Sequence, residues 1–162
     1  MVSCVFPGSF DPVTKGHLDL ISRAASVFDR VTVTVMVNIH KCGAVPAEKR
    51  LELLRKACSR FDNVKVDSWN GLLADYMQEK NEKIVIRGIR VGSELDQELQ
   101  SAAASKLLND RYEVFFLPSD PGYTGISSSA VREIAAFGGD ISAFVPEELT
   151  EEISELLSNR NQ

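Results

Sequence analysis

The chain has 162 residues, 44% hydrophobic and 25% charged, so it is long enough to bury a core, and we expect a single domain over residues 1–162. Its net charge of −5 argues against a general nucleic-acid binder, so any anion site must be local. The three cysteines form no C-x-x-C pair and no zinc spacing, which favours reduced thiols in a cytoplasmic protein; neither a signal peptide nor a membrane span is expected.

The first predicted elements are a strand, a turn and a helix. A short apolar run, residues 2–6, leads into the glycine- and proline-rich turn Phe6–His17, and an amphipathic run continues to Phe28. Thr14 is the expected N-cap and places His17 in the first helical turn. Such a turn directs backbone N–H groups and the positive helix end at one point, where an anion can sit. The usual phosphate-loop patterns are absent, so an ordinary capped turn stays open as the alternative.

The next elements continue the alternation. A β-branched run at residues 31–37 predicts a strand covered on both faces, and Pro46 suits the first position of a second helix. Residues 64–66 predict a short third strand, and Asn70 is a candidate cap for a third helix. Apolar residues at helical spacing mark the faces of these helices: Leu51, Leu54, Cys58 and Phe61, then Leu72, Leu73, Tyr76 and Met77.

The second half repeats the pattern. Residues 84–86 predict a fourth strand that runs into Arg87–Arg90, and Ser93 with Asp96 is a candidate capping box for the fourth helix. Residues 114–117 predict the fifth strand. The apolar stripe expected on the fourth helix consists of Leu95, Leu99, Ala102, Ala103 and Leu107.

Two more helices complete the chain. A loop at residues 118–126 leads to Ser127–Ser129, which opens a helix that ends at Gly138–Gly139. Pro146 begins a C-terminal helix over about 146–158.

Five strand–helix alternations predict an α/β fold, a Rossmann-like, doubly wound five-stranded parallel sheet with helices on both faces. Right-handed crossovers then place every strand-to-helix loop at one edge of the sheet, where ligands bind. This edge collects polar and cationic residues from four loops: Ser9, His17, His40, Lys41, Arg87, Arg90, Tyr123 and Ser127–Ser129. We infer a polyanion site, for a nucleotide together with another phosphorylated molecule.

Each of these side chains also has an ordinary explanation. The alternatives are solvated or packed loop residues (His40, Lys41 and Tyr123), surface arginines paired with Glu94 or Asp96 (Arg87 and Arg90), and a redundant N-cap (Ser127–Ser129). Their coincidence at the ends of four strands favours the site.

The chemistry is narrowed by what the sequence lacks. No zinc-ligand cluster, Cys–His or Ser–His–Asp arrangement or carboxylate pair stands out. A phosphate nucleophile needs no base, because its second pKa is about 6 and it is largely ionised near pH 7. Phosphoryl-type transfer relies mainly on positioning and charge neutralisation, which histidine, lysine, arginine and backbone N–H groups supply.

Two segments resemble known signatures. Gly8–Pro12 followed by Thr14–His17 resembles the T/H-x-G-H signature of the nucleotidyltransferase superfamily, and Ile126–Arg132 resembles its second signature, I-S-S-[ST]-x-x-R. Within the superfamily the chain resembles the bacterial phosphopantetheine adenylyltransferases, through the threonine of the first signature, the Arg87–Arg90 segment, the lysine after the second strand and the length. The resemblance extends from Val2 to about Leu157.

The resemblance implies an enzyme of coenzyme A biosynthesis. It would move the adenylyl group of ATP to 4′-phosphopantetheine, giving dephospho-coenzyme A and pyrophosphate, by in-line attack of the acceptor phosphate on the α-phosphorus without a protein base. It implies Mg²⁺ arriving with ATP rather than on protein ligands, a homohexamer and coenzyme A as a feedback ligand, with neither nucleic acid nor a membrane as partner.

The resemblance also implies residue roles. His17 would stabilise the transition state, with Lys41 and Arg90 as further catalytic residues. The acceptor 4′-phosphopantetheine would contact Ser9, Lys41, Leu73 and Arg87. ATP would contact Ser9, Phe10, His17, Gly88, Ile89, Arg90, Glu98, Tyr123, Thr124, Gly125, Ile126, Ser127, Ser128 and Ser129.

Three positions depart from the family pattern. Ser9 stands where many members have threonine but keeps the hydroxyl, Cys42–Ala44 is less basic than usual, and Gln97 occupies a position that is often aromatic. Nicotinamide- or nicotinate-mononucleotide adenylyltransferases and glycerol-phosphate cytidylyltransferases are nearby alternatives, although they usually carry histidine at the Thr14 position. A non-catalytic nucleotide-binding regulator is the alternative from another class.

Overall fold

A computed structural model describes residues 1–37 and 43–158. In these ranges five strands and six helices follow one another: β1 (Ser3–Gly8), α1 (Lys15–Val27), β2 (Arg30–Val37), α2 (Ala47–Cys58), β3 (Val64–Asn70), α3 (Leu73–Glu79), β4 (Ile84–Ile89), α4 (Gly92–Leu108), β5 (Glu113–Pro118), α5 (Ser128–Ala136) and α6 (Thr150–Ser158). Short 3-10 turns at Pro121–Tyr123 and Glu147–Leu149 precede α5 and α6.

The strands form one parallel sheet in the order β3-β2-β1-β4-β5, which confirms the predicted α/β architecture. The chain builds outward from β1 in one direction through β2 and β3, and then in the other through β4 and β5. The direction therefore reverses between β1 and β4, and a ligand cleft is expected outside the carboxyl ends of those two strands.

The core explains why the central strands are apolar. Val31, Val33 and Val35 of β2 are fully buried, as is Ile21 of α1, and they belong to a large cluster that includes residues of α1, α2, α5 and α6. Val5 lies in a smaller cluster with residues of α3 and β4. Cys4 is core, as expected, and burial raises the pKa of its thiol to about 12.

Predictions about the start of α3 are wrong. Asn70 does not cap a helix; it ends β3, which pairs with β2 from Val64 through Asn70 and is longer than the predicted run. Leu72 is the N-cap of α3 without a side-chain cap, and 56% of its surface is exposed, so it is not part of an apolar helix face.

The predicted capping box of α4 is also wrong. The N-cap is Val91 and Gly92 is the first helical residue, so Ser93 lies inside the first turn. Glu94, rather than Asp96, accepts a backbone N–H, that of Arg90 at 3.1 Å. The stripe on α4 contains no buried residue in this chain alone: Leu99 and Leu107 are exposed.

Helix boundaries near two prolines shift by a residue or more. Pro46 is the N-cap of α2 rather than its first residue, and Phe61 lies beyond the end of that helix at Cys58. Pro146 precedes the 3-10 turn that leads into α6. The helix opened by Ser127–Ser129 ends near Gly138, whose φ of +72° suits glycine, as predicted.

Within the described ranges, no helix is both long enough and apolar enough to span a membrane.

Candidate active site

A cleft of about 430 Å³ opens where the order of the strands reverses. One wall is the turn after β1 with the start of α1, a second is the end of β4 with the start of α4, and a third is the start of α5. The lining consists of Phe6, Pro7, Gly8, Ser9, Phe10, Thr14, Gly16, His17, Leu20, Arg87, Gly88, Arg90, Glu94, Gln97, Glu98, Ser119, Tyr123, Ile126, Ser127, Ser128, Ser129 and Arg132.

Thr14 caps α1 as predicted and also orients His17. Its hydroxyl accepts the His17 backbone N–H at 3.3 Å, and its own backbone N–H donates to His17 Nδ1 at 3.0 Å. Because a backbone N–H can only donate, Nδ1 is an acceptor and the proton of the neutral ring lies on Nε2. Burial, and then the positive charge of Arg90, lower the pKa of His17 from 6.5 to about 4. His17 is therefore a neutral Nε2–H donor near pH 7.

The Phe10 ring packs against the imidazole ring of His17. Its ring is 1% exposed and meets the His17 ring edge-on, with centroids 5.0 Å apart. The Phe10 backbone is left-handed, with φ of 46°. A Cβ on Gly8 would lie 3.0 Å from the Phe10 ring, so the close approach of strand end and ring explains this glycine.

The two arginines at the end of β4 are each held by a carboxylate of α4. Arg87 donates from Nε and Nη2 to Glu98 at 2.8 and 2.9 Å, a bidentate pair. Arg90 donates from Nη2 to Glu94 and from Nη1 to the carbonyl of Ile126 at 3.3 Å. Pairing of Arg90 with Glu94 was one of the ordinary explanations, and it is present, but both arginines also line the cleft.

Two helix starts present free N–H groups to the cleft. Ser127 caps α5 by accepting the N–H of Ala130 at 3.1 Å, while the N–H groups of Ser128 and Ser129 have no acceptor among the residues that the structure describes. The Gly16 N–H at the start of α1 likewise has none in that part of the chain. Unpaired N–H groups at a helix start, together with the helix dipole, form an anion position.

A buried network attaches the segment after β2 to the turn that carries Ser9. Asp11 accepts the backbone N–H groups of Ala44 and Val45 at 2.7 and 2.6 Å. Arg50, 6% exposed, donates to the carbonyls of Val45 and Ser9 at 3.0 and 2.8 Å. The end of this loop is therefore packed against the first cleft wall.

The cleft brings together most of the predicted site residues. Those that line it are Ser9, Phe10, His17, Arg87, Gly88, Arg90, Glu98, Tyr123, Ile126, Ser127, Ser128 and Ser129. Ile89, Thr124 and Gly125 adjoin lining residues without lining the cleft, and Leu73 packs against the smaller core cluster. His40, Lys41 and Cys42 lie outside the described residues.

Several residues of the lining have no binding role predicted from the sequence, among them Arg132 and Glu94. Arg132 donates to the Asp11 carbonyl at 2.6 Å and to Ser129 Oγ at 3.2 Å. It belongs to the segment Ile126–Arg132, and its position three residues after Ser129 on a helix was the signal that could have placed it in the site. Glu94 could have been found by its position one helical turn before Glu98.

Metal ligands do not gather in the described part of the chain. No three His, Cys, Asp or Glu side chains come together within residues 1–37 and 43–158. The two cleft carboxylates of α4, Glu94 and Glu98, are each paired with an arginine. The cleft is thus built from donors for anions.

Comparison with known proteins agrees with this arrangement. A family model described as cytidylyltransferase-like matches residues 5–134, which contain both signature segments. The fold and the cleft accordingly define a nucleotidyltransferase of the cytidylyltransferase-like class.

Relatives named phosphopantetheine adenylyltransferase identify the family within this class. One from Clostridium perfringens is 44% identical over 96% of this chain and 94% of its own length. One from Dictyoglomus turgidum is 46% identical over 96% and 97%, and one from Streptomyces coelicolor is 42% identical over 99% and 100%. The chain belongs to the phosphopantetheine adenylyltransferase family.

A solved structure supports the fold alone. A Vibrio parahaemolyticus protein assigned as a nicotinate-nucleotide adenylyltransferase superposes with a TM-score of 0.66, covering 98% of this chain and 93% of its own, at 19% identity. At that identity the likeness carries no information about the acceptor.

Proposed function

We propose that the chain transfers the adenylyl group of ATP to 4′-phosphopantetheine, giving dephospho-coenzyme A and pyrophosphate. The observation that carries this proposal is His17, held as a neutral Nε2–H donor in a cleft that two helix starts and paired arginines also line. Membership of the family supplies the identity of the acceptor, because the relatives that share most of the chain's length carry that name.

The reaction is an in-line displacement at the α-phosphorus of ATP. An oxygen of the acceptor phosphate forms the new P–O bond, and the bond to the β-phosphate oxygen breaks, so that pyrophosphate leaves with the bonding electron pair. The acceptor oxygen carries no proton that must be removed, so the step needs no protein base. The site instead stabilises charge that develops on the α-phosphate and the leaving group.

We assign roles to individual residues by combining the positions of those that line the cleft with the roles that the family resemblance implies. His17 donates from Nε2 to the α-phosphate, and the N–H groups of Ser128 and Ser129 bind the triphosphate with Arg90. Arg87 binds the acceptor phosphate, together with Lys41 and with Ser9, which contacts both substrates. The remaining ATP contacts are assigned to Phe10, Gly88, Ile89, Glu98, Tyr123, Thr124, Gly125, Ile126 and Ser127, and the pantetheine arm to Leu73.

Mg²⁺ is proposed as a companion of ATP. The described residues provide a cluster of hydrogen-bond donors for anions but no group of ligands for a resident metal. The Mg²⁺ ion therefore fits best as one bound by the triphosphate and water. When bound there, it would neutralise negative charge on the β- and γ-phosphates. Chelation with EDTA should abolish turnover and added Mg²⁺ should restore it; turnover that survives chelation contradicts the proposal.

A homohexamer is proposed as the assembly. The support is the apolar surface on α4 and the edge strand β5, where Leu99, Leu107, Leu108 and Phe115 are 48%, 90%, 64% and 53% exposed. Exposed apolar patches of this kind mark interfaces between proteins. Sedimentation should give six times the chain mass, and Leu107→Glu should lower it; a single-chain mass for the unaltered protein contradicts the assembly.

Coenzyme A is proposed as a feedback ligand. Coenzyme A carries both the pantetheine and the adenylyl groups, so it should compete with both substrates, which inhibition kinetics would test.

A cytoplasmic location is supported by Cys4 and Cys58, which are buried free thiols. Cell fractionation would test it, and recovery outside the cytoplasm would contradict it.

The deciding experiment is a pyrophosphate-release assay with purified chain, ATP and Mg²⁺. Release is expected with ATP and 4′-phosphopantetheine. No release is expected with ATP and nicotinate mononucleotide, or with CTP and glycerol 3-phosphate. ATP binding without release in any of these mixtures would favour a non-catalytic regulator, and release with another acceptor would reassign the substrate.

A further inference from the structure

Helix α4 forms a cleft wall although none of its faces is buried in the single chain. None of its residues is buried, yet Glu94, Gln97 and Glu98 line the cleft. Two of these are carboxylates one helical turn apart, and each holds one of the arginines that end β4. The family resemblance accounts for Arg87, Arg90 and Glu98 but assigns nothing to Glu94.

Glu94 holds both the backbone and the side chain of Arg90. Its Oε2 accepts the Arg90 backbone N–H at 3.1 Å, and its Oε1 accepts a hydrogen bond from Nη2. The other terminal nitrogen of Arg90, Nη1, donates to the carbonyl of Ile126. Arg90 therefore bridges the start of α4 and the residue before Ser127, where α5 is capped.

The guanidinium group of Arg90 keeps N–H donors that are free to bind a ligand. An arginine side chain has five N–H donors in a planar fork, and the contacts to Glu94 and Ile126 use two of them. The remaining three can bind an anion in the cleft that Arg90 lines. Partial burial is the largest single effect and raises the pKa of Glu94, but the hydrogen bonds and the charge of Arg90 together lower this pKa below its usual value, so the carboxylate is ionised at neutral pH.

We propose that Glu94 is a positioning residue for the ATP phosphates and acts through Arg90. The inference rests on the proposed function, in which Arg90 and the start of α5 bind the triphosphate. Without Glu94, the long side chain of Arg90 is free to leave the bridge, and binding ATP must then order it. Ordering a side chain of this kind weakens binding by about 3- to 10-fold.

The effect should be confined to one substrate. Arg90 is tied to Ile126, beside the α5 start, whereas Arg87 is tied to Glu98 and faces the Pro7 carbonyl at 3.5 Å. Loss of Glu94 should therefore weaken ATP binding and leave the KM for 4′-phosphopantetheine unchanged. A general loosening of α4 would affect both substrates.

The test compares Glu94→Gln with Asp96→Asn. Asp96 lies on the same helix, is exposed and has no ion-pair partner in the described ranges, so its replacement removes the same charge without touching Arg90. Calorimetry with ATP alone should give a Kd about 3- to 10-fold higher for Glu94→Gln and an unchanged Kd for Asp96→Asn. Matching thermal melts would confirm that both variants are folded.

A double-mutant cycle separates positioning from a structural role. In an Arg90→Ala background, Glu94→Gln should cause no further loss of ATP affinity, because the residue through which it acts is gone. An unchanged Kd for Glu94→Gln, an additive loss in the Arg90→Ala background, or an equal rise in the 4′-phosphopantetheine KM would each overturn the inference. Because calorimetry uses ATP alone, absence of pyrophosphate release by the unaltered chain would contradict the proposed function without deciding this point. If the unaltered chain did not bind ATP, the inference would fail as well.

Discussion

Two of the three cleft walls are held in place by different interactions. Helix α1 buries Leu18, Leu20, Ile21 and Ala24, so the wall that carries His17 is part of the hydrophobic core. In the single chain, helix α4 has no buried residue, and the arginines beside it are held by Glu94 and Glu98. Core packing fixes a group within a dense interior, whereas partly exposed ion pairs contribute little stability and can be exchanged for other charges. His17, the proposed transition-state donor, thus stands on the wall held by core packing, and the arginines proposed to bind phosphate stand on the wall held by ion pairs.

The largest effect is expected from damage to the core beneath α1. Ile21→Ala should lower the free energy of unfolding by about 2–5 kcal/mol, since it removes a fully buried side chain and leaves a cavity. Val27→Ala at the end of the same helix, where 76% of the side chain is exposed, should change it by less than about 0.5 kcal/mol. Urea denaturation would measure both, and similar values for the two variants would mean that α1 is not held by its buried face.

The His17 side chain should affect catalysis more than folding. His17→Ala should lower turnover by about 10²–10³-fold, the usual cost of losing one preorganised donor to a developing charge. His17→Gln keeps an amide N–H donor and should lose less. Pyrophosphate release measures turnover, thermal melting checks the fold, and near-normal turnover in the alanine variant would remove His17 from the mechanism.

The pH dependence of stability should carry a contribution from His17. The pKa of the folded group is lowered to about 4, so below about pH 6.5 the unfolded chain binds a proton that the folded chain does not. The stability contributed by the neutral ring is complete above pH 6.5 and is lost as pH falls toward 4. Between pH 7 and 5, unaltered chain should lose on the order of 2 kcal/mol more than His17→Gln. Parallel pH profiles of the two proteins would contradict the lowered pKa.

Two glycines at the α4 wall give the smallest effects and opposite signs. Gly92, the first residue of α4, has open space where a Cβ would lie, so Gly92→Ala should raise the free energy of unfolding by about 0.4–1 kcal/mol. A Cβ on Gly88 would lie 2.3 Å from Leu20 Cδ1, so Gly88→Ala should lower it by about 1–3 kcal/mol. Urea denaturation would measure the free energy of unfolding of both variants, and the difference between them would show that packing is dense at Gly88 and open at Gly92. A loss of stability in Gly92→Ala would instead indicate that the α4 start is packed.

The helix starts of the first and third walls could be predicted from the sequence because their signals are local. The spacing of Thr14 and His17 predicts the cap, and the structure confirms it with reciprocal hydrogen bonds. The serine run predicts the α5 start, which Ser127 caps as expected. In both places, the cap residue and the groups it binds lie within three residues along the chain, so a sequence pattern contains the whole interaction.

The second wall could not be predicted to the same depth. Ser93 and Asp96 match a capping box by spacing, but Val91 is the N-cap, and Glu94 binds Arg90 across the end of β4. Asn70 similarly matches a helix cap, but pairing along β2 keeps it in β3. For Asn70, a partner strand far along the chain competes with the local pattern. Glu94 lies only four residues from Arg90, but the spacing alone does not decide whether Glu94 or Asp96 is the partner.

The α/β alternation, the parallel sheet and most residues of the polar sheet edge can be predicted from the sequence alone. Hydrophobic periodicity, helix caps and the ends of strands depend on neighbouring residues, and the topology of parallel sheets places strand ends together. Only the packed fold shows that burial lowers the pKa of His17, that Arg90 reaches Ile126, and that Asp11 and Arg50 attach Val45 to the Ser9 turn. Charge states and hydrogen-bond partners depend on burial and on distances between atoms far apart in the chain, and only the packed fold sets these.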